Sequence, residues 1–234
     1  MARKPFSDDV KKKVLLWSDR HCCLCEKSCD VDIVVAHLDD PEDDSIDNAI
    51  PLCHDCHGKI GRYNPDHPIG TKYKIEELKT RREQIYEKNT SHLVPPIHLE
   101  LGRIYEENTK TRVRTFVKHL SDSNPVKIII NHTPFVNKNK FDPLEGKVRN
   151  YYNGGIVWNF NPKFGVNGSF AIKKEWLEME GIFGIEFNIN VIDVYERDHK
   201  LLPFCYTYNK RKNLWSLEPT SHDELCKFMD EPNI

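Results

Sequence analysis

The stretch HCCLCEKSCDVDIVVAHLDDPEDDSIDNAIPLCHDCHG, residues 21–58, decides the fold of the first third of this chain. It contains two Cys-x-x-Cys pairs, Cys22 with Cys25 and Cys53 with Cys56, and 27 residues lie between them. Each pair can direct two thiolates at one ion, and two pairs complete a tetrahedral zinc site. Because four thiolates leave no open coordination position, the spacing predicts a structural Zn²⁺ that stabilises a region poor in apolar residues.

The remaining cysteines are predicted to have other roles. Cys23 adjoins the first pair and is predicted to be a buried apolar filler, whereas Cys29 is an alternative metal ligand. Cys205 and Cys226 are predicted to be ordinary core residues. No apolar stretch follows Met1, and no apolar run approaches the roughly 18 residues of a membrane span. These features favour metal binding in a reducing cytoplasm over disulfides, with no membrane partner.

Hydrophobic periodicity outlines the elements around these pairs. Val10, Val14 and Trp17 lie at helical spacing behind Ser7, which is a suitable N-cap. The acidic segment from Asp39 to Asp47 is expected to be a loop. The predicted elements are a helix over Asp8–Asp19, a strand over Val31–Val35 that leads to His37, a helix opening within Cys53–Gly61, and a helix over Ile75–Lys88.

The second half of the chain has a different residue pattern. Asn89–Pro96 is expected to be a linker or domain edge, and His98–His119 is predicted to form one helix. After Pro125, short β-branched or aromatic runs alternate with turn residues. The predicted strands are Val126–Ile130, Ile156–Phe160, Ser169–Ile172, Ile185–Tyr195, Cys205–Tyr208 and Leu214–Leu217. The fold class is therefore α+β: a zinc domain over residues 1–92, then a mainly antiparallel, sandwich-like β domain over residues 98–234 with a leading helix.

Three polar residues accompany the cysteine pairs. His37 follows the predicted strand, Asn48 lies eleven residues later, and His57 follows Cys56 directly. Together with Leu52-Cys-x-x-Cys-His57 they resemble the His-Asn-His signature of the zinc-containing HNH endonucleases. Residues 67–73 and 77–82 resemble one bacterial subgroup of that family. The resemblance covers roughly residues 6–90, and we recognise no family for residues 98–234.

The resemblance implies a ββα-metal fold and a metal-dependent DNA endonuclease. In that fold His37 would be the general base that takes a proton from the attacking water. His57 would be a ligand of a catalytic Mg²⁺ or Mn²⁺, and Asn48 would brace the loop and orient His37. The products would carry a 5′-phosphate and a 3′-hydroxyl. Family habit further suggests a role in bacterial defence or mobile-element biology.

One position departs from the family pattern. Many members have Asp or His just before the base, as a second metal ligand, whereas this chain has Ala36. Asp39, Asp40 or water would have to replace that ligand. Ala36 therefore keeps two alternatives open: a non-catalytic zinc module that binds nucleic acid, and a ligand-sensing or protein-interaction domain whose zinc is purely structural.

Charge gives local support for DNA binding and no global support. The formal net charge is −2, yet residues 59–88 carry eight Lys or Arg against five Asp or Glu. The alternative for each basic residue there is a solvated helix charge. The candidate phosphate contacts are Arg62, Lys72, Arg81 and Arg82.

Residues 98–234 leave several roles open. Their many aromatic residues predict a β core, and a base-stacking surface is the alternative. Local basic clusters occur at Lys138, Lys140, Lys147 and Arg149 and again at residues 210–212. Target recognition, sensing of an activating ligand, partner binding and homodimerisation all remain compatible with this sequence.

Overall fold

The structure is a computed structural model that describes residues 4–62, 73–122, 124–142, 151–152 and 155–225. The side chains of residues 61, 62, 151, 152 and 155–157 are not described. The chain divides into two compact units, Met1–His92 with Tyr195–Arg197, and Leu93–Val194 with Asp198–Ile234. Within the described residues, no helix combines the length and the hydropathy that crossing a membrane requires.

The first unit contains three helices and a two-stranded hairpin in its described part. Helix α1 begins behind Ser7, whose hydroxyl accepts a hydrogen bond from the backbone N–H of Val10, and it buries Val10, Val14 and Trp17 as predicted. The first strand begins at Ile33, two residues after the predicted start, because Val31 lies in a turn and is 77% exposed. The elements are α1 (Asp8–Trp17), β1 (Ile33–His37), β2 (Ala49–Cys53), α2 (His54–Arg62) and α3 (Ile75–Thr90).

The hairpin and α2 together form a strand–strand–helix unit. β1 and β2 pair antiparallel from Ile33 opposite Cys53 to His37 opposite Ala49. β2 is buried throughout, and α2 begins at the next residue and packs on both strands. No loop therefore separates the Cys53 end of the hairpin from α2.

The second unit is built from antiparallel strands. Its elements are β3 (Ile97–Glu107), β4 (Lys110–His119), β5 (Val126–Val136), β6 (Asn139–Lys140), β7 (Tyr151–Tyr152), β8 (Gly155–Phe160), β9 (Gly165–Ile172), α4 (Lys174–Glu178), β10 (Phe183–Ile192), β11 (Asp198–Lys200), β12 (Phe204–Asn209) and β13 (Leu214–Glu218). Among the described residues, one sheet has the order β13-β12-β10-β5-β8-β7, with β11 beside β10 and β6 beside β5. The other sheet has the order β3-β4-β9.

The core of the second unit lies between these two sheets. Every second residue of β4 is buried, from Thr111 to His119, as the two-residue period of a half-buried strand requires. Val113 and Val117 of this row share one apolar cluster with the inner residues of β5, β10 and β12 in the larger sheet. Helices and antiparallel sheets occur together in the chain, so the α+β class is confirmed.

The predicted leading helix over His98–His119 is wrong, because this segment is the β3–β4 hairpin. Its apolar residues fit both periods, since Leu99, Val113 and Val117 lie at helical spacing but are buried here as members of alternating rows. Asn108 and Thr109 both have positive φ angles, +48° and +66°, which makes them the two central residues of a hairpin turn. A β-branched Thr is rare at a position with positive φ, so the sequence did not indicate a turn here.

The other predicted strands correspond to β5, β8, β9, β10, β12 and β13, with longer bounds in most cases. The short strands β6, β7 and β11 have no counterpart in the prediction. Asn89–Pro96, expected to be a linker or a domain edge, contains the last two residues of α3 and a 3₁₀ turn over Ser91–Leu93.

Candidate functional site

The four cysteines of the two pairs converge at one point of the first unit. The Sγ atoms of Cys22, Cys25, Cys53 and Cys56 all lie within 4.8 Å of one another. The Sγ atoms of Cys25 and Cys53 are 3.8 Å apart. A tetrahedral zinc ion with Zn–S bonds of about 2.3 Å requires S–S separations of roughly 3.8 Å. The donor set and its geometry therefore fit Zn²⁺, and these four residues could hold it.

Backbone hydrogen bonds shape the first cysteine pair into a tight turn. The N–H of Glu26 donates to the carbonyl of Cys22, and the N–H of Cys22 donates to the carbonyl of Lys27. Glu26 has a φ of +59°, the left-handed conformation that closes this turn. The N–H of Cys23 donates to the carbonyl of Pro51, which joins the turn to β2. In the second pair, the N–H of Cys56 donates to Sγ of Cys53 over 3.4 Å.

The thiols differ in how readily they ionise. Burial alone would raise the pKa of Cys22, but hydrogen bonds from the backbone at Cys25, Cys53 and Leu24 lower it to about 7. Burial raises the pKa of Cys56, and the neighbouring thiols of Cys53 and Cys25 raise it further. Four thiolates at this spacing repel one another and need a cation. The cluster is therefore suited to a divalent metal that binds thiolates.

The other cysteines lie outside this group. Cys23 is 1% exposed within the apolar cluster of the first unit, and burial raises its pKa, which keeps the thiol neutral. Sγ of Cys29 donates to the carbonyl of Lys27 over 3.2 Å. Cys205 is fully buried, and Cys226 lies outside the described residues.

His37 is the last residue of β1 and is half-buried. Its ring stacks on Phe6, with ring centroids 3.9 Å apart and planes inclined by 15°. Phe6 is itself only 3% exposed, so it provides a fixed surface that limits rotation of the imidazole. Nothing in the sequence pattern around Phe6 indicated this contact, because the two residues are far apart along the chain.

Asn48 holds the loop that follows His37. Its side chain is buried and accepts a hydrogen bond from the N–H of Asp39 over 2.9 Å. Its amide nitrogen donates to the carbonyls of Asp40 and Asp43. The carbonyl of Asn48 also accepts from the N–H of Leu38 over 2.8 Å. One amide side chain thus fixes the acidic segment at three points.

His57 lies in the first turns of α2, one residue after Cys56, and is half-buried. Across the ranges that the structure describes, the four-cysteine group is the only set of three or more His, Cys, Asp or Glu residues placed to share an ion. Ala36 is buried and faces the side of β1 opposite to His37. The carboxylate of Asp40 accepts from the N–H of Glu42 over 2.9 Å, so it serves the loop turn.

Arg82 has a structural role in place of the predicted phosphate contact. It is 4% exposed, and its Nη1 donates to the carbonyls of Ile46, Asp47 and Ala49 over 2.8–3.1 Å. Its Nη2 lies 3.0 Å from a carboxylate oxygen of Glu83. A guanidinium that is buried and bound to protein oxygens cannot reach a phosphate without breaking these bonds.

The other predicted phosphate contacts are exposed or not described. Arg81 is 48% exposed and pairs with Glu77 at 4.0 Å on the surface of α3. The backbone of Arg62 ends α2, but its side chain is not described. Lys72 lies outside the described residues, as do Lys147 and Arg149 of the basic cluster predicted in the second unit.

Neither a scan against protein-family models nor a search of curated proteins found a match to this chain.

Proposed function

We propose that the first unit is a metal-dependent DNA endonuclease that hydrolyses phosphodiester bonds. One observation supports this most: a strand–strand–helix unit held by four cysteines has His37 at the end of its first strand and His57 at the start of its helix. The acidic loop between them is fixed by Asn48. This is the arrangement that the resemblance to HNH endonucleases implies.

In this proposal His37 is the general base. It stands at a strand end and remains partly open to solvent, so an attacking water can approach the imidazole. Its stacking on Phe6 restricts the ring, which lowers the entropy that orientation would otherwise cost. Asn48 contributes indirectly by fixing the chain immediately after His37, and so acts as a positioning residue.

His57 is assigned to the divalent cation. Mg²⁺ or Mn²⁺, when bound, would polarise the scissile phosphate and stabilise the departing 3′-oxygen. His57 would supply a nitrogen ligand from α2, directly after Cys56 of the four-cysteine site. Because Ala36 supplies no ligand, oxygen atoms of DNA and water would have to provide the other ligands of the cation.

Cleavage of supercoiled plasmid by the zinc-loaded full chain tests the general base. With Mg²⁺ or Mn²⁺ present, His37→Ala is expected to lower the initial rate by about 10²–10⁴, the usual contribution of a general base. His54→Ala is the matched control, because His54 is exposed at the start of α2 and has no role in the proposal. Its rate should stay within about twofold of the parent.

A second experiment tests the proposed role of His57 in binding the divalent cation. His57→Ala should raise the Mg²⁺ concentration needed for half-maximal cleavage, whereas His54→Ala should leave it unchanged. Zinc content and circular dichroism would establish that each variant keeps the structural site. Parental cleavage by His37→Ala, or no cleavage by a folded, zinc-loaded parent with either cation, would contradict the endonuclease proposal.

The second candidate is a zinc module that binds nucleic acid without cleaving it. Ala36 favours this candidate, because it leaves the position of a family metal ligand without a donor. Retention of DNA at low salt without cleavage would support it. A folded chain with no affinity for DNA at low salt would instead favour a ligand-sensing or protein-interaction role.

A further inference from the structure

The second unit contains a cavity between its two sheets that the proposed nuclease chemistry does not use. Its volume is about 240 Å³, and it is partly open to solvent, with the exposed Asn167 among its lining residues. Three aromatic side chains, those of Trp158, Phe170 and Phe187, form much of the wall. An apolar cavity of about 150 Å³ is enough for one benzene-sized molecule, so this space suits a single ring or two fused rings.

At Gly168, in the smaller sheet, the side chains of the cavity wall lie close to the backbone. Gly168 of β9 pairs with Thr115 of β4, on the face that is turned towards the core. A Cβ on Gly168 would lie 3.0 Å from Oγ1 of Thr115 and 3.2 Å from Cη2 of Trp158. Larger residues occupy the neighbouring inner positions, such as Phe170. The missing side chain of Gly168 therefore lets Trp158 pack closely against β9, and this contact forms part of the cavity wall.

His132 is the unusual residue of the cavity wall. It lies in phase with Ile128 and Ile130 on the inner face of β5, where the other residues are apolar, and it is 8% exposed. Its Nε2 is buried and has no hydrogen-bond partner within the described part of the chain. A buried polar atom without a partner is costly, and a Leu or Phe would fit such a row better. The position therefore favours a role for the nitrogen itself.

The surroundings of His132 keep the imidazole neutral. Burial lowers its pKa to about 4, so the ring is uncharged at physiological pH. Its centroid lies 4.4 Å from that of Phe170 and 6.2 Å from that of Phe187. A neutral imidazole offers one donor and one acceptor nitrogen, and a flip of the ring exchanges nitrogen and carbon at nearly constant shape. It can therefore bind one polar atom of an uncharged ligand.

We infer that this cavity binds a small, uncharged aromatic heterocycle of one or two fused rings, with His132 as its polar anchor. The aromatic walls bury the faces of the ring, and the imidazole selects a ring that carries a nitrogen at one edge. The inference concerns the second unit alone and holds whether or not the first unit cleaves DNA.

Binding of three probes to the full chain tests the inference. Indole carries a donor, quinoline carries an acceptor, and indene has a similar size and neither group. Saturation-transfer NMR would give the affinities, and the imidazole ¹⁵N resonances of His132 would report contact directly. We expect saturable binding, with indole or quinoline preferred to indene by about fivefold, as one net hydrogen bond provides.

Two substitutions separate the anchor from the cavity. His132→Phe keeps an aromatic ring and should abolish the preference while indene still binds. Gly168→Ala should weaken all three probes, because the new methyl group would lie 3.2 Å from Trp158 and displace this residue of the cavity wall. His98→Phe is the matched control, since His98 lies on β3 with 46% of its side chain exposed. It should change nothing.

Several results would overturn the inference. The first is a folded parent chain that binds none of the three probes saturably. The second is indene binding as tightly as both heterocycles, and the third is an unchanged preference in His132→Phe. If His132→Phe does not fold, the imidazole ¹⁵N resonances of His132 in the parent chain provide the test. Heterocycle binding that leaves these resonances unshifted would exclude His132 as the anchor.

Discussion

Replacing Arg82 by Met should destabilise the first unit severely, although the same change at the adjacent Arg81 should have almost no effect. Both arginines lie in α3 and both were candidate phosphate contacts. Arg82 is 4% exposed and donates to three backbone carbonyls that belong to Ile46, Asp47 and Ala49. Arg81 is 48% exposed and pairs weakly with Glu77.

The magnitude follows from what Met would leave behind. Nη1 of Arg82 has two hydrogens, so it makes the equivalent of two charge-assisted bonds, each with a net value of about 1.5–3 kcal/mol. The contacts of Nη2 with Asp47 and Glu83 add little, because those carboxylates are 70% and 55% exposed. We therefore expect a loss of about 3–5 kcal/mol for Arg82→Met. Arg81→Met should change the free energy of unfolding by no more than about 0.5 kcal/mol.

Hydrogen exchange in increasing urea can measure this for the first unit alone. Peptides that cover α1 and α3 would report its opening, independently of the strands of the second unit. At about 4–8 °C per kcal/mol for a domain of this size, the melting temperature of the first unit should fall by at least about 12 °C. If Arg82→Met matched Arg81→Met in stability and lowered DNA affinity at constant salt, Arg82 would be a phosphate contact and this reasoning would be refuted.

Three further predictions concern the metal, pH and a turn. Treating the reduced full chain with phenanthroline should expose the amides of α1 and α3 to exchange but leave those of β5 and β10 protected. A structural zinc site contributes about 10–16 kcal/mol, more than a small domain retains without it, and an unchanged pattern would contradict a structural role. Hydrogen bonds from Lys79 and, to a smaller extent, from Arg82 lower the pKa of Asp47 in the folded state. The ionised Asp47 therefore stabilises the fold above pH ~4, the pKa of an Asp in the unfolded chain. This stabilisation disappears as the pH falls through the lowered pKa of the folded state. Urea unfolding should therefore show Asp47→Asn to be less stable than the parent at pH 7 and equal to it at pH ~2, and a gap independent of pH would contradict this. Thr109→Gly should stabilise the second unit by about 0.5–1 kcal/mol in thermal unfolding, because Gly adopts the positive φ of the β3–β4 turn without strain. A lower melting temperature would contradict this. It would show that the hydrogen bond from the Thr109 hydroxyl to the Asn108 carbonyl contributes more than the strain costs.

The first unit shows which features a sequence reveals directly. The cysteine pairs were predictable because metal ligation demands fixed local spacing, and α1 because its cap and apolar period agree. Arg82 was not predictable as a buried brace. It lies among Arg81, Glu83 and other charged residues of α3, and only the approach of the backbone over residues 46–49 makes it different from them. Local patterns do not distinguish a solvated charge from a buried one when the partner groups are distant backbone carbonyls.

The second unit shows where periodicity is ambiguous. In the β3–β4 hairpin, residues spaced for a helix were equally in phase for strands, and the turn at Asn108 lacked the glycine that would have indicated it. His132 carried a usable signal, because it continues the alternation of Ile128 and Ile130. The signal placed it inside the sandwich, but the missing partner of its Nε2 depends on the residues of the opposite sheet.

Different residues position the two proposed catalytic histidines, so loss of zinc and substitution of Asn48 are expected to affect cleavage in different ways. Cys53 ends β2, and Cys56 immediately precedes His57, so a metal bound by the four cysteines would fix the start of α2. His37 lies opposite Ala49, four residues from Cys53 along the hairpin, or about 13 Å at 3.3 Å per residue. At that end Phe6 and Asn48 do the positioning. If the proposal is right, loss of zinc should act first on cation binding by His57, whereas a change at Asn48 should act first on the proposed base, His37. A chelator that removes both metals cannot separate these effects, so Mg²⁺ must be varied while the zinc is retained.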